Sequence, residues 1–197
     1  ICFDQERYEE GIGFIAAALK IIDTTGNARH EAIALKERSR ISLHQGRIEA
    51  ASADLKKACG ILKSLNQKPD YDFRISMGDL YTREGRYEEA GEVLREALEN
   101  CTEAGIPYGE IMALFHLGNL MESTGRETEA VGFWSECYRK TDTSNLRHLK
   151  IRSGEKLVDH YRRKGELERA LEYLDDIRNT EAAIRDERLH HTISVYD

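Results

Sequence analysis

The 197-residue chain has few of the residues that staple small secreted domains or interrupt helices. It contains four cysteines and two prolines, and no two cysteines are spaced as a Cys-x-x-Cys pair. We therefore expect neither a disulfide framework nor a structural zinc site. Thiols without such a framework are typical of a reducing compartment, so we expect a cytoplasmic protein.

Long apolar runs and a surplus of basic charge are also absent. No stretch approaches the roughly 18 consecutive apolar residues of a membrane-spanning helix. Acidic residues outnumber lysine and arginine by 36 to 29, which gives a net charge of −7. A nucleic-acid groove normally carries an excess of basic charge. We therefore expect neither a membrane nor a nucleic acid as a partner of this segment.

An internal repeat is the strongest signal that is present. Four segments align on glycines that are about 39–40 residues apart, namely Gly46, Gly85, Gly125 and Gly165, and a fifth copy without the glycine covers 6–18. Each glycine is suited to a turn between two helices because it accepts a positive φ. A small residue follows five positions later and a large apolar residue four beyond it, as in Ala90 and Leu94. This spacing places both on one helical face.

A second helix precedes each glycine, so each copy is predicted to be a helix–turn–helix hairpin whose apolar faces need neighbours. Few prolines and many alanine, leucine, glutamate, lysine and arginine residues also favour helices. The predicted helices span about 7–23, 28–44, 47–65, 70–83, 86–104, 108–123, 126–140, 145–163 and 166–190.

The pattern resembles the tetratricopeptide repeat. One copy carries the resemblance at Leu117, Gly118, Ala130, Trp134 and Cys137, and another at Met77, Gly78, Tyr81, Ala90, Leu94 and Ala97. The family's common period is about 34 residues, so the longer period here resembles an extended variant found in bacterial signalling and regulatory proteins. The resemblance implies an all-α, right-handed α-solenoid with a concave groove lined by the first helix of each hairpin.

The second copy departs from the family pattern. Arg38, Ser39 and Ser42 stand where the family usually has apolar, small and aromatic residues. We expect looser packing between the first and second copies for this reason.

The repeat also suggests a domain organisation. We assign 1–180 to a solenoid of about four and a half repeats, the first truncated, and 181–197 to a C-terminal helical extension. Because the chain opens on Ile1 and within a repeat, we interpret it as a fragment of a larger protein. The extension has a sparse apolar stripe at Ile184, Leu189, Ile193 and Tyr196, which suits packing on the last hairpin or a homodimer.

Residues of the first helices are the candidates for a partner groove. By approximate repeat register they are Lys36, Arg40, Leu43, Ile75, Asp79, Arg83, Phe115, Asn119, Glu122, Glu155, Asp159 and Arg162. Some repeat proteins hold a terminal carboxylate with lysine and asparagine, but Arg40 and Asp79 disfavour that reading here. Phe115 beside Asn119 could instead hold an apolar side chain while the amide bonds peptide backbone.

No set of residues has the spacing of a catalytic, metal or cofactor site, and we expect none of these. The possibilities weighed were His190-His191 as metal ligands, Cys137 with His148 as nucleophile and base, and Asp175-Asp176 or Glu88-Glu89 as acid and base. Adjacent histidines on a helix point about 100° apart and cannot chelate together. Cys137 occupies a core position, and the paired carboxylates are expected to be solvated charges.

These observations predict a non-enzymatic module that binds a protein or peptide. Two alternatives stay open. One is a sensory segment of a signalling protein whose output domain (a kinase, a cyclase or a DNA-binding domain) lies beyond residue 197. The other is a structural scaffold that stacks on itself through uncapped ends.

Overall fold

The computed structural model describes residues 5–142 and 146–196, and their side chains from Glu9 to Asp142 and from Leu146 to Glu187. In this described part, all regular structure is helical. The helices are α1 Gln5–Thr25, α2 Ala28–His44, α3 Ile48–Ser64, α4 Tyr71–Arg83, α5 Tyr87–Glu103, α6 Pro107–Ser123, α7 Glu127–Thr141, α8 Arg147–Lys164 and α9 Leu167–Tyr196.

These bounds confirm the all-α class and the hairpin reading of the sequence. The main difference is at the end of the chain, where α9 continues to Tyr196 instead of ending near residue 190. Its continuation follows from composition, because α9 contains neither glycine nor proline.

The chain divides into two compact units, an N-terminal unit up to Gly105 and a C-terminal unit from Ile106. In the N-terminal unit α1 packs on α2, and the hairpin α2–α3 packs on α4 of the hairpin α4–α5. In the C-terminal unit the hairpin α6–α7 packs on α8 of the hairpin α8–α9. The assignment of 1–180 and 181–197 as solenoid and extension stays a prediction.

The turn glycines behave as their spacing predicts. Gly46, Gly85, Gly125 and Gly165 have φ between 73° and 76°. At the first of these turns the N–H of Arg47 donates to the carbonyl of Ser42 at 2.8 Å, and the N–H of Gly46 donates to Leu43 at 3.0 Å. This is the Schellman arrangement, which satisfies the last carbonyls of a helix. The same pair of bonds closes the other three turns.

The two helices of a hairpin approach closely because a glycine of the first faces a large side chain of the second. A Cβ placed on Gly118 would lie 2.4 Å from Cδ1 and Nε1 of Trp134, which is 1% exposed. Gly78 faces Leu94 in the same way. The small-residue positions after each turn, such as Ala90 and Ala130, are also buried.

In the second copy, Ser39 stands at the position that Gly78 and Gly118 occupy in the next two copies. Ser39 is fully buried and its Oγ has no hydrogen bond within the described residues. Arg38 donates two hydrogen bonds to the carboxylate of Asp54 in α3, at 2.7 and 2.6 Å. The departure from the family pattern therefore introduces a buried hydroxyl and an ion pair within the hairpin.

Two further expectations concern the cysteine thiols and membrane-spanning helices. Cys101 and Cys137 are buried, and Cys59 is half-buried. Among the described helices, none combines the length and the hydrophobicity required to cross a bilayer.

The glycine contact gives a stability prediction. We expect Gly118→Ala to destabilise the protein by about 1–3 kcal/mol, because the added Cβ overpacks against Trp134. Gly132→Ala is the matched control on α7, since its Cβ would meet nothing within 4 Å. The control should stabilise by about 0.5–1 kcal/mol through helix propensity alone. Urea denaturation measures both, and equal shifts in the two variants would contradict the close approach.

Candidate partner-binding face

The twelve predicted groove residues fall into two sets of six, one in each compact unit, and each set is described within its own unit. In the N-terminal unit Lys36, Leu43 and Ile75 are at most 4% exposed. Leu43 and Ile75 are therefore core residues. They present almost no surface that a partner could contact.

Lys36 forms a buried ion pair that joins two hairpins. Its ammonium group donates to the carboxylate of Asp72 on α4, lies 3.1 Å from Glu37 and sits over the ring of Phe73. Burial alone would lower the pKa of Lys36, but the hydrogen bond and charge of Asp72, with those of Glu37, raise it above its ordinary value. Lys36 is thus held as a charged structural residue.

The other three predicted residues of this unit form polar links. Nη1 of Arg83 donates to the carbonyl of Leu43 at 3.1 Å, which ties α4 to α2. Nε of Arg83 also donates to Asp79 one turn earlier, at 3.1 Å. Arg40 donates to Glu37 at 3.2 Å. Arg40, Asp79 and Arg83 are at least partly exposed, and each takes part in a hydrogen bond within the unit.

The C-terminal unit brings three of the predicted residues into one open pocket of about 550 Å³. Glu122 near the end of α6 lines it together with Asp159, Arg162 and Arg163 near the end of α8. We call this surface of α6 and α8 the α6–α8 face. Arginines in the last turn of α8 are also favoured there by the negative end of the helix dipole.

The charges on the α6–α8 face are only partly balanced. Glu122 accepts a hydrogen bond from Nζ of Lys156 and lies 3.8 Å from Nη2 of Arg163. Arg162 is exposed and forms no ion pair within the part of the chain that the structure describes. Burial, followed by the negative charges of Glu181 and Asp159, raises the pKa of Glu155. The face therefore presents an arginine and two carboxylates on α8 to the solvent.

Phe115 and Asn119 are already engaged by neighbouring side chains. Phe115 is 2% exposed, and the Arg152 guanidinium lies 4.4 Å from its ring centroid. Oδ1 of Asn119 accepts a hydrogen bond from Nε1 of Trp134 at 3.3 Å. Because Arg152 covers the buried Phe115 ring, the ring offers no surface for an apolar side chain of a partner.

Sequence reasoning missed the basic residues of α8 that organise this face. Arg152 stacks on Phe115, Lys156 lies 5.2 Å from the Trp134 ring centroid, and Arg163 lines the pocket. Helix α8 has seven lysine and arginine residues and two acidic ones within an acidic protein. That local reversal of charge, with Arg152 and Lys156 one turn apart, was a signal in the sequence.

Cys137, the candidate nucleophile, is a buried thiol. Burial raises the pKa of the Cys137 thiol to about 12, so it stays protonated at neutral pH and is a poor nucleophile. The described side chains form no metal-binding group of histidine, cysteine and carboxylate, and those of His190 and His191 lie outside the described part.

Asp176 is partly exposed and also paired, which the expectation of a solvated charge did not include. Oδ2 of Asp176 accepts from the Tyr138 hydroxyl and lies 2.8 Å from Nζ of Lys150. Burial opposes ionisation, but the hydrogen bonds from Lys150 and Tyr138 hold the pKa of Asp176 below its usual value. This cluster links α7, α8 and α9.

A known protein family matches the central hairpins of the chain. Residues 73–139 match the family model described as tetratricopeptide repeat. These residues therefore contain tetratricopeptide repeats, and the hairpins on either side of them have the same helix–turn–helix form. No curated protein is similar enough in sequence to count as a match.

Solved structures of repeat proteins share the fold. A Rap protein complexed with competence and sporulation factor is 18% identical, with a TM-score of 0.81 over 94% of this chain. A signal-transduction ATPase with a tetratricopeptide-repeat sensor from Pyrococcus horikoshii is 20% identical, with a TM-score of 0.63 over 91% of this chain. The chain spans 52% of the first and 29% of the second.

A third structure carries repeats of the same kind along most of its length. It is a putative kinesin light chain from Podospora anserina with nearly identical TPR-like repeats, 17% identical, with a TM-score of 0.58. The match covers 92% of this chain and 90% of that one. At such low identity these likenesses establish the fold alone.

The Asp176 cluster predicts an acid-dependent loss of stability. A carboxyl whose folded pKa is depressed contributes stability above its unfolded pKa of about 3.9, and that contribution disappears as the pH falls through the lower folded value. We expect Asp176→Asn to lower the urea midpoint at pH 7, and we expect the difference from the wild type to shrink as the pH falls below the unfolded pKa and through the lower folded value. Asp175→Asn is the control, since the ion pair of Asp175 with Arg178 is 3.9 Å long and both side chains are exposed. A pH-independent difference for Asp176→Asn would contradict this role.

Proposed function

We propose that the chain is a non-enzymatic module that binds a protein or peptide, and that the α6–α8 face of the C-terminal unit contacts the partner. The observation that carries the proposal is the open pocket of Glu122, Asp159, Arg162 and Arg163. Tetratricopeptide repeats are generally interaction modules without catalytic activity, which supports this class of function.

The chemistry of the face indicates what a partner would offer. Arg162 suits a carboxylate, with which a guanidinium forms paired charge-assisted hydrogen bonds. Asp159 and Glu155 suit a lysine or arginine of the same partner. A basic residue of such a peptide would also offset the negative charges of Glu181 and Asp159, which add to the effect of burial in raising the pKa of Glu155. The buried residues Leu43, Ile75 and Phe115 would support the scaffold and not the contact.

The α6–α8 face can be tested by affinity capture from a lysate with quantitative mass spectrometry. We expect Arg162→Ala/Asp159→Ala to lose proteins that the wild type retains, because both side chains are exposed on this face. Asp175→Ala/Arg178→Ala is the matched control, since it removes an exposed acid and base from α9. A partner set that is unchanged in the first variant would contradict the proposal.

Phe115→Ala is unsuitable for that experiment. Phe115 is buried, and truncating a buried phenylalanine costs about 3–5 kcal/mol. Loss of a partner would then report unfolding as readily as loss of a contact. Circular dichroism of the exposed double variants should show unchanged helicity.

A second candidate, self-association, is favoured by the apolar side chains exposed on the first and last helices. Phe14 and Ile21 of α1 are 76% and 64% exposed, and Leu167 and Leu171 of α9 are 60% and 55% exposed. Paired apolar residues on an exposed helix face are typical of an interaction surface.

The equivalent positions of earlier repeats indicate which element would cover Leu167 and Leu171. Glu127 stands two residues after its turn glycine, as Leu167 does, and forms an ion pair with Lys164 of α8 at 3.1 Å. Ser52 stands six residues after its glycine, as Leu171 does, and donates a hydrogen bond to Glu84, the C-cap residue of α4. In both cases the partner is the first helix of the following hairpin. The exposed leucines therefore occupy a stacking face.

Self-association would appear as mass that depends on concentration. We expect sedimentation velocity to show association of the wild type that Leu167→Gln/Leu171→Gln weakens, since the change removes exposed apolar surface without touching the core. Leu65→Gln, on another exposed apolar residue, is the control. A single monomeric mass at all concentrations would exclude the self-stacking scaffold.

Two finer assignments complete the proposal. A sensory role within a larger signalling protein is favoured by the similarity to the ATPase with a tetratricopeptide-repeat sensor. In such a larger signalling protein, the output domain would be a kinase, a cyclase or a DNA-binding domain. A cytoplasmic location is favoured by the thiols of Cys59, Cys101 and Cys137.

A further inference from the structure

A separate cavity of about 290 Å³ lies in the N-terminal unit, beside the linker between α3 and α4. Its apolar lining comes from Ile33, Leu62 and Phe73. Leu62 and Phe73 are nearly buried, whereas Ile33 is 37% exposed. Ligand pockets usually begin near 300 Å³, so this cavity has room for one or two side chains and not for a large cofactor.

Two cations line the same cavity. Arg29 and Lys68 are both exposed, and neither forms an ion pair among the residues that the structure describes. Asp70 also lines the cavity, but its Oδ1 accepts the backbone N–H groups of Asp72 and Phe73, both at 3.1 Å. Oδ1 of Asp70 is thus used in capping α4, and its carboxylate balances only one of the two cations that line the cavity.

The two cations lie near the N-termini of two helices. Arg29 is the second residue of α2, and Lys68 lies two residues before Asp70, the N-cap of α4. A helix N-terminus carries partial positive charge and favours anions. A ligand carboxylate between Arg29 and Lys68 would neutralise the positive charge that Asp70 leaves unbalanced at this cavity.

We propose that this cavity binds an acidic peptide segment of a partner protein. An aliphatic side chain of the segment packs against Ile33, Leu62 and Phe73, and a neighbouring carboxylate pairs with Arg29 and Lys68. The apolar lining and the two cations lie close enough for adjacent residues of one peptide to meet both. The site lies in the other compact unit from the α6–α8 face, so either can fail without the other.

The ligand requirement can be tested with three fluorescein-labelled peptides on the full chain. The first alternates leucine and glutamate and has an amidated C-terminus; the second replaces leucine with serine, and the third replaces glutamate with glutamine. We expect fluorescence anisotropy to show binding of the first and at least about tenfold weaker binding of the other two. Added salt should weaken the first, because the cations are exposed. No binding of the first peptide would overturn the proposal.

The location can be tested with two charge-matched variants. Arg29→Gln/Lys68→Gln should weaken the leucine–glutamate peptide by about tenfold or more, since a charge-assisted hydrogen bond is worth that ratio. Lys20→Gln/Lys63→Gln removes two exposed cations of the same unit outside the cavity and should change affinity less than about twofold. Equal loss in both variants would show general charge attraction and overturn the site.

A third variant isolates the apolar half of the site. Ile33→Ser keeps both cations and removes the exposed part of the lining. We expect it to weaken the leucine–glutamate peptide while leaving the serine–glutamate peptide unchanged. An unchanged affinity for both peptides would overturn the assignment of the aliphatic contact.

Discussion

The contact on which each of the later hairpins depends is the approach of a glycine on the first helix to a large side chain on the second. Gly78 meets Leu94, Gly118 meets Trp134 and Gly154 meets Ile177, each at a distance that leaves no space for a Cβ. Since the large side chain fills the space where a Cβ would stand, the hairpin buries it without a cavity. These contacts set the distance between the two helices of a hairpin. The ion pairs between hairpins then form between helices that are already positioned.

The turns and the core of the second helices were predictable because both are local properties of the chain. A glycine at a positive φ and an alanine five residues later follow from backbone sterics and from the 3.6-residue period. The groove was harder to predict, because a first helix packs both on its own hairpin and on the next. In α6, eleven of seventeen residues are buried, so periodicity could not separate Phe115 from surface residues such as Glu122.

The polar part of the candidate site depends on pairing across helices, which sequence spacing does not reveal. Helix α8 places Lys150 against Asp176 of α9, Lys156 against Glu122 of α6 and Lys164 against Glu127 of α7. The basic composition of α8 is thereby matched to three acidic neighbours within the C-terminal unit. Among the described side chains, Arg162 has no such acidic match, and the spacing of the sequence alone does not distinguish it from the paired basic residues.

The buried thiols give the two units separate chemical markers. Cys101 lies in the N-terminal unit and Cys137 in the C-terminal unit, and each is at most 1% exposed. An alkylating reagent reaches such a sulfur only when the surrounding helices separate, so its rate reports the free energy of that local opening. The alkylation rates of Cys101 and Cys137 therefore report separately on the local opening of the two units. The opening of one unit can be measured in this way while a ligand is bound to the other.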